Sequence, residues 1–242
     1  HSVTLFEKAD RLGGVLLIED DVAFKSKLKL YIERQAARCL NNPAIDVRLN
    51  TEATPELVSA LEPDAVIASL GSRPAVPTYL EGWDGKNVMS AEYAYTHLDE
   101  IGESAVVIGG GLVGAELAIH LAQNGKKVTL MHRHEEVKCG ANGLHGQAIG
   151  EQIHILKIGT AMCTSPTRIT ADGVYGKGPE GEKFYPAQTV IYAVGQRPLA
   201  DEAEQFRFCA PDFYIIGDCG TPATIYQATS QAYYAARDIG RI

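Results

Sequence analysis

The stretch from Ala105 to Arg133, AVVIGGGLVGAELAIHLAQNGKKVTLMHR, constrains the fold of this chain more than any other. Ala105-Val106-Val107-Ile108 is an apolar run of strand length, and Gly109, Gly111 and Gly114 follow it in G-x-G-x-x-G spacing. Leu112 to Asn124 is good helix sequence, Gly125 stands where a C-terminal glycine cap belongs, and Lys127 to Met131 reads as the next strand. In such a frame the first glycine permits a tight turn and the second lets the backbone approach a pyrophosphate. The third lets helix and strand pack closely. The helix start offers its free N–H groups and positive dipole end to that phosphate. The unit is read as a dinucleotide-binding fold. A glycine-rich structural turn, the alternative, has no need of a strand, a helix and a second strand on schedule.

The first eight residues repeat the end of that unit. Laying Val3-Thr4-Leu5 on Val128-Thr129-Leu130 places Glu7 opposite His132. That position carries, in a dinucleotide fold, the acid that accepts hydrogen bonds from an adenosine ribose. Two dinucleotide folds are therefore expected. The first lacks its opening strand, glycine turn and helix, a piece of roughly 25–30 residues in the usual unit. The chain is accordingly expected to be part of a longer polypeptide.

The 242 residues are 45% hydrophobic and 21% charged, which is ordinary for a globular protein large enough to bury a core. The net charge of −8 argues against non-specific binding to nucleic acid or an anionic membrane. No apolar run has the length of a membrane span and no signal peptide is visible. The five cysteines, Cys39, Cys139, Cys163, Cys209 and Cys219, are scattered and form no C-x-x-C, as expected of thiols in a reducing cytoplasm. His132-Arg133-His134 has no acid or cysteine at ligand spacing, so no metal site is expected.

Along the chain, Val3 to Phe6 reads as a strand, Leu12-Gly13-Gly14 as a turn and Val22 to Leu40 as an amphipathic helix ended by Asn41-Asn42-Pro43. Val47 to Leu49 is a short strand, Thr54 caps a helix that begins with Pro55, and Ala65 to Ser69 is a buried strand running into Gly71-Ser72-Arg73-Pro74. Val76 to Gly85 looks like a connection, and a second domain begins near Val88. After the dinucleotide unit, Ile153 to Ile158 reads as a strand, Thr167 to Val190 as a β-meander and Val190 to Val194 as a buried strand. Gly195-Gln196-Arg197-Pro198 then repeats the earlier Gly-x-Arg-Pro turn. Phe213 to Ile216 is a last strand before Gly217-Asp218, and Thr224 to Arg237 is a terminal helix. The order implies nesting in an α/β fold with parallel sheets and a β-meander. One Rossmann-like fold spans residues 1–80 and 205–242, and a second, residues 86–204, is inserted into it.

Glu7, the paired Gly-x-Arg-Pro turns, the Gly109-to-Gly114 fingerprint and Gly217-Asp218 together resemble the flavin and nicotinamide disulfide-reductase superfamily over nearly the whole chain. Leu5-Phe6-Glu7-Lys8 with Leu12-Gly13-Gly14, and Ile215-Ile216-Gly217-Asp218-Cys219, look most like the C-terminal module of the NADH:flavin oxidoreductases. That group includes 2,4-dienoyl-CoA reductases, 2-enoate reductases and trimethylamine dehydrogenases. There, a flavin-binding barrel and an iron–sulfur cluster precede this module. The resemblance implies FAD held by Glu7 at the ribose, Lys8 near the adenine, Gly14 and Gly71 at close backbone approaches, and Gly217 and Asp218 at the ribityl chain. It also implies NAD(P) held by Gly109, Gly111 and Gly114, with Gly195 at the matching turn of the second fold. Glu116 is either a residue near the nicotinamide or an ordinary acid in the first helical turns. His132 and Arg133 replace the acid usual for NAD, and a cation suits the 2′-phosphate of NADP. This favours NADP over NAD, a solvated basic pair being the alternative.

The expected activity is electron input: hydride from NAD(P)H to FAD. It continues through an iron–sulfur cluster to FMN in the upstream barrel and on to an enoate or enoyl thioester. No catalytic side chain is expected in this chain, and alone it is expected to be inactive. Small nucleotides and the parent's barrel are the expected partners. The rivals are a non-catalytic ADP-binding module and a freestanding ferredoxin- or rubredoxin-type reductase. Residues Val15 to Phe24 hold no cysteine, so thiol–disulfide chemistry is not expected.

Overall fold

The structure is a computed structural model that describes residues 1–137 and 143–241. Cys139 lies outside the described residues. The chain forms two compact units, residues 1–73 with 196–242, and residues 74–195. The chain thus leaves the first unit at Arg73–Pro74 and returns at Gly195–Gln196, inside the two Gly-x-Arg-Pro turns. The sequence reading sets these passages later, at residues 80–86 and 204–205. The proline- and glycine-containing segment after Pro74 folds with the second unit instead, through a Leu80 that is only 3% exposed.

The first unit opens with β1 (Val3–Phe6), a 3-10 turn at Gly14–Glu19, and α1 (Ser26–Leu40), followed by β2 (Ile45–Arg48). The helix begins four residues later than periodicity suggests. Val22 to Lys25 is taken up by the approach to a separate 3-10 turn, Ala23–Lys25. Then come α2 (Pro55–Ser59), β3 (Ala65–Ala68) and β4 (Ser72–Pro74). Thr54 caps α2 by accepting from Leu57 N at 3.2 Å, and Pro55 begins the helix where its missing N–H costs nothing.

The second unit contains β5 (Val88–Ser90), α3 (Ala91–Thr96), β6 (Ser104–Ile108), α4 (Leu112–Gln123), β7 (Lys127–Met131) and α5 (Gly143–Ile155). After these follow β8 (Gly159–Ala161), β9 (Ser165–Thr170), β10 (Gly173–Gly178), β11 (Gly181–Pro186) and β12 (Thr189–Tyr192). Its five-stranded sheet runs in the order β5-β12-β6-β7-β8, and every pairing in it is parallel. Val106, Val107, Leu130, Val190 and Ile191 are fully buried, the near-continuous apolar pattern of a parallel sheet covered on both faces. Each such side chain contributes about 1.5–3 kcal/mol of burial. α4 is buried from Gly114 to Leu121, which explains why it is apolar around most of its circumference. The antiparallel β9, β10 and β11 form the expected meander.

The expected strand at Ile153–Ile158 is corrected. Residues up to Ile155 complete α5, and the strand is β8, beginning at Gly159. Gly143, Gly146 and Gly150 lower the helix propensity of that stretch, so it reads as loop and then strand in isolation.

Back in the first unit, β13 (Gln196–Pro198) precedes α6 (Ala200–Glu204), β14 (Asp212–Ile215) and α7 (Ile225–Asp238). β1 pairs with β2 and β3 with β14, both in parallel. Ala68, Ala203 and Cys219 form a small core with Leu199, Phe213 and Ile215 packed on it. Thr224 and Gln227 start α7 with a capping box.

Candidate nucleotide-binding sites

In the second unit the site is built at the C-terminal ends of β6, β7 and β12, where open parallel sheets hold their ligands. The three fingerprint glycines have three different surroundings. A Cβ on Gly109 would lie 2.2 Å from the Ala193 carbonyl oxygen, and its φ of +116° disfavours any other residue. A Cβ on Gly114 would lie 1.9 Å from the Gly109 carbonyl oxygen, so α4 sits directly on the turn. Among the described residues, a Cβ on Gly111 would meet nothing within 4 Å. The first and third glycines are consumed by packing, and the second keeps an approach open.

Gly111 is also the N-cap of α4, and no side chain among the described residues caps that end. Ala115 N donates to Gly111 O at 3.0 Å, so the helix starts cleanly. The N–H groups before Ala115 have no partner within the helix, which leaves them for an anion. An open backbone, an uncapped N-terminus and a positive dipole end fit a pyrophosphate.

Around this turn, Glu116 is 4% exposed and lies 3.3 Å from Nε2 of His145 on α5. His145 is a feature that sequence reasoning missed, because α5 was not read as a helix. His132 follows β7 and is turned inward, with its Nδ1 accepting from Gly110 N at 3.0 Å. Arg133 is exposed, and its Nε donates to Nε2 of His134 at 3.3 Å. Gly195 follows β12, and its carbonyl accepts from Ala75 N. At the end of the same strand, burial pushes the Tyr192 phenol up, with Glu92 adding to the effect and Ser90 opposing it, so it is neutral at pH 7.

The first unit places its expected residues in two groups. Glu7 and Lys8 follow β1. Glu7 is half-buried, and its Oε1 accepts from Ala9 N at 2.8 Å, while Lys8 is exposed. Gly14 opens the 3-10 turn that follows. The second group joins Gly71 with Gly217 and Asp218. Ser72 Oγ lies 3.4 Å from Asp218 Oδ2 and 3.3 Å from Gln196 Oε1. Asp218 Oδ1 accepts from Ala223 N at 3.1 Å, and Gly217 N donates to Gln231 Oε1 at 2.6 Å. Asp218 is therefore both a loop-capping residue and a carboxylate at the end of a parallel strand. Ser72, Gln196 and Gln231 were not singled out from the sequence, since their role depends on neighbours more than a hundred residues away or on the far side of a turn.

No group of acids, histidines or cysteines among the described residues could hold a metal ion. Cys39, Cys163, Cys209 and Cys219 are free thiols. No helix among the described residues is long and apolar enough to cross a membrane.

The profile of the pyridine nucleotide-disulphide oxidoreductases matches residues 21–232. The chain belongs to this family. It is 31% identical over 251 residues to an NADH oxidase of Thermoanaerobacter brockii, which covers 99% of the chain and 37% of the relative. It is 30% identical over 245 residues to a cinnamate reductase of Clostridium sporogenes, covering 99% of the chain and 36% of the relative. A solved 2-naphthoyl-CoA reductase superposes with a TM-score of 0.84 at 26% identity, over 97% of this chain and 36% of that one. The chain thus spans little more than a third of the length of these relatives. They agree with the resemblance to the module of NADH:flavin oxidoreductases. This family member is a flavin and pyridine-nucleotide oxidoreductase module with a Rossmann-like α/β fold.

Proposed function

We propose that this chain is the electron-input module of a larger flavin-dependent reductase. The observation that carries this is the glycine turn of the second unit, with Gly109 and Gly114 closed by packing and, among the described residues, Gly111 left open over a helix start that no side chain caps. NAD(P)H bound there would supply hydride, and FAD in the first unit would accept it. The residues of the chain bind and orient. The α4 N–H groups hold the pyrophosphate, Arg133 meets a 2′-phosphate, Glu7 accepts from the ribose of FAD and Asp218 from its ribityl chain. Arg133 is the exposed cation at the strand end where NAD-specific folds carry an acid, and this supports NADPH as the donor.

In this reading electrons leave FAD through an iron–sulfur cluster to FMN in an upstream barrel of the same polypeptide, and reach an unsaturated carboxylate or thioester. Support comes from the relatives, a cinnamate reductase and a 2-naphthoyl-CoA reductase, each of which is far longer than this chain. In this reading the protein works in the cytoplasm, and the chain alone is inactive towards the substrate. The test is anaerobic mixing of the full-length parent with NADPH. Rapid bleaching of flavin absorbance, followed by reoxidation on adding an enoate or enoyl thioester, is expected. A flavin that NADPH and NADH leave oxidised, in a protein that still binds ADP, favours a structural nucleotide module instead. Reduction without reoxidation by any such substrate points to a freestanding reductase serving a protein acceptor.

A further inference from the structure

We infer that His132 is a positioning residue for the dinucleotide, acting through the backbone of Gly110 and only when its imidazole is neutral. The inference rests on the reading of residues 109–116 as a nucleotide site and goes beyond it. His132 occupies the position at which an acid would contact a ribose. The residue is instead 9% exposed, with its ring turned into the protein. Gly110 N donates to His132 Nδ1 at 3.0 Å, in a buried bond that spans 22 residues of sequence. A Cβ on Gly110 would lie 2.6 Å from His132 Cγ, so ring and turn are in van der Waals contact. The backbone on either side of the ring is fixed as well. His132 N donates to Ala161 O, and Thr164 N donates to His132 O, both at 2.9 Å. The ring therefore stands on a rigid base and fixes the middle peptide of the Gly109-Gly110-Gly111 turn.

That geometry has a protonation requirement. A ring nitrogen that accepts a hydrogen bond carries no proton, so Nδ1 must be bare. An imidazolium donates from both nitrogens and would oppose the Gly110 N–H directly. Protonation thus breaks the contact that shapes the turn, and affinity for the dinucleotide falls as pH falls through the titration of His132. His132 is committed to the turn, and Arg133 is left as the residue of the pair that can reach a ligand.

Among the described residues, the nearby titratable and charged groups include Arg133, His134, whose ring centroid lies 5.0 Å away, and Cys163 on the loop after β8. Glu116 and His145 belong to α4 and α5 of the same unit. The experiment is an NADPH titration of the 242-residue chain at pH 8 and pH 5.5, comparing the unaltered chain with His132→Asn, His132→Ala and, as a control, His134→Asn. The Asn side chain presents an oxygen where Nδ1 stood and cannot be protonated. The expected result is that affinity of the unaltered chain and of His134→Asn drops about tenfold at the lower pH, a loss the size of one hydrogen bond. His132→Asn binds nearly as well at pH 8 and loses most of that drop, while His132→Ala binds about tenfold more weakly at both. Thermal melts at both pH values show whether each variant is folded. Equal pH profiles for the unaltered chain and His132→Asn overturn the inference and leave the nucleotide site standing, as does unchanged binding by His132→Ala. Absence of binding by the unaltered chain at either pH overturns both.

Discussion

Gly114→Ala is expected to destabilise the chain by about 3 kcal/mol or more, whereas Gly111→Ala, three residues earlier in the same turn, costs under about 1 kcal/mol. The difference follows from what the new methyl group meets. At Gly114 it would stand 1.9 Å from the carbonyl oxygen of Gly109. That atom is backbone and cannot rotate away, so α4 must lift off β6. At Gly111 there is nothing within 4 Å among the described residues, and φ is an ordinary −77°. The methyl has room there, and in the proposed site it takes up space that the dinucleotide needs. Gly111→Ala should therefore melt close to the unaltered chain yet bind NADPH about 10–100-fold more weakly, the value of one or two charge-assisted hydrogen bonds. Urea unfolding and an NADPH titration on both variants check this. A Gly111→Ala chain that keeps full affinity would remove the argument that the opening faces a phosphate.

Replacing Arg133 should change which nicotinamide cofactor is preferred. Its guanidinium is exposed just beyond β7. Contact with a 2′-phosphate would form a charge-assisted, bidentate pair. Arg133→Ala is expected to weaken NADPH binding by about 10–100-fold and to leave NADH nearly unchanged. Arg133→Glu should go further and invert the preference, because a carboxylate repels the phosphate and accepts from a ribose hydroxyl. Fold stability should be unaffected, since the exposed side chain has no packing to lose. Equal losses for NADPH and NADH would show that Arg133 acts on a part of the ligand common to both. No loss for either would make it a solvated surface residue.

The parts legible in the sequence were those with local causes. The span β6–α4–β7 is written in consecutive residues: an apolar run, three spaced glycines, a helix and a glycine stop. The structure places all of it where that pattern indicates. Thr54-Pro55 and the meander turns at Asp172-Gly173 and Glu180-Gly181 are equally local. What was not legible depends on distant contacts or on propensity overridden by packing. α5 carries glycines that argue against a helix, yet Ile149 and Ile153 are buried and hold it in place. The start of α1 was read too early because Val22 and Phe24 continue the apolar spacing through a 3-10 turn. The inward ring of His132 depends on Gly110 across 22 residues. The Ser72–Asp218 contact spans 146 residues and depends on β3 and β14 lying side by side. Residue type nominated His132 and Asp218, and only the fold shows that both also hold backbone loops.

The most direct test of the central claim is a thermal-shift titration of the purified chain against NADPH, NADH, FAD and ADP. At a ligand concentration a hundredfold above Kd, binding adds about 2.7 kcal/mol, or a rise in Tm of roughly 5–10 °C for a chain this size. The account predicts a rise of that order with NADPH, a smaller one with NADH at equal concentration, and the NADPH rise cut to about half or less in Gly111→Ala. Stabilisation by ADP alone, with neither nicotinamide dinucleotide exceeding it, would contradict the account and make the chain a structural nucleotide-binding module.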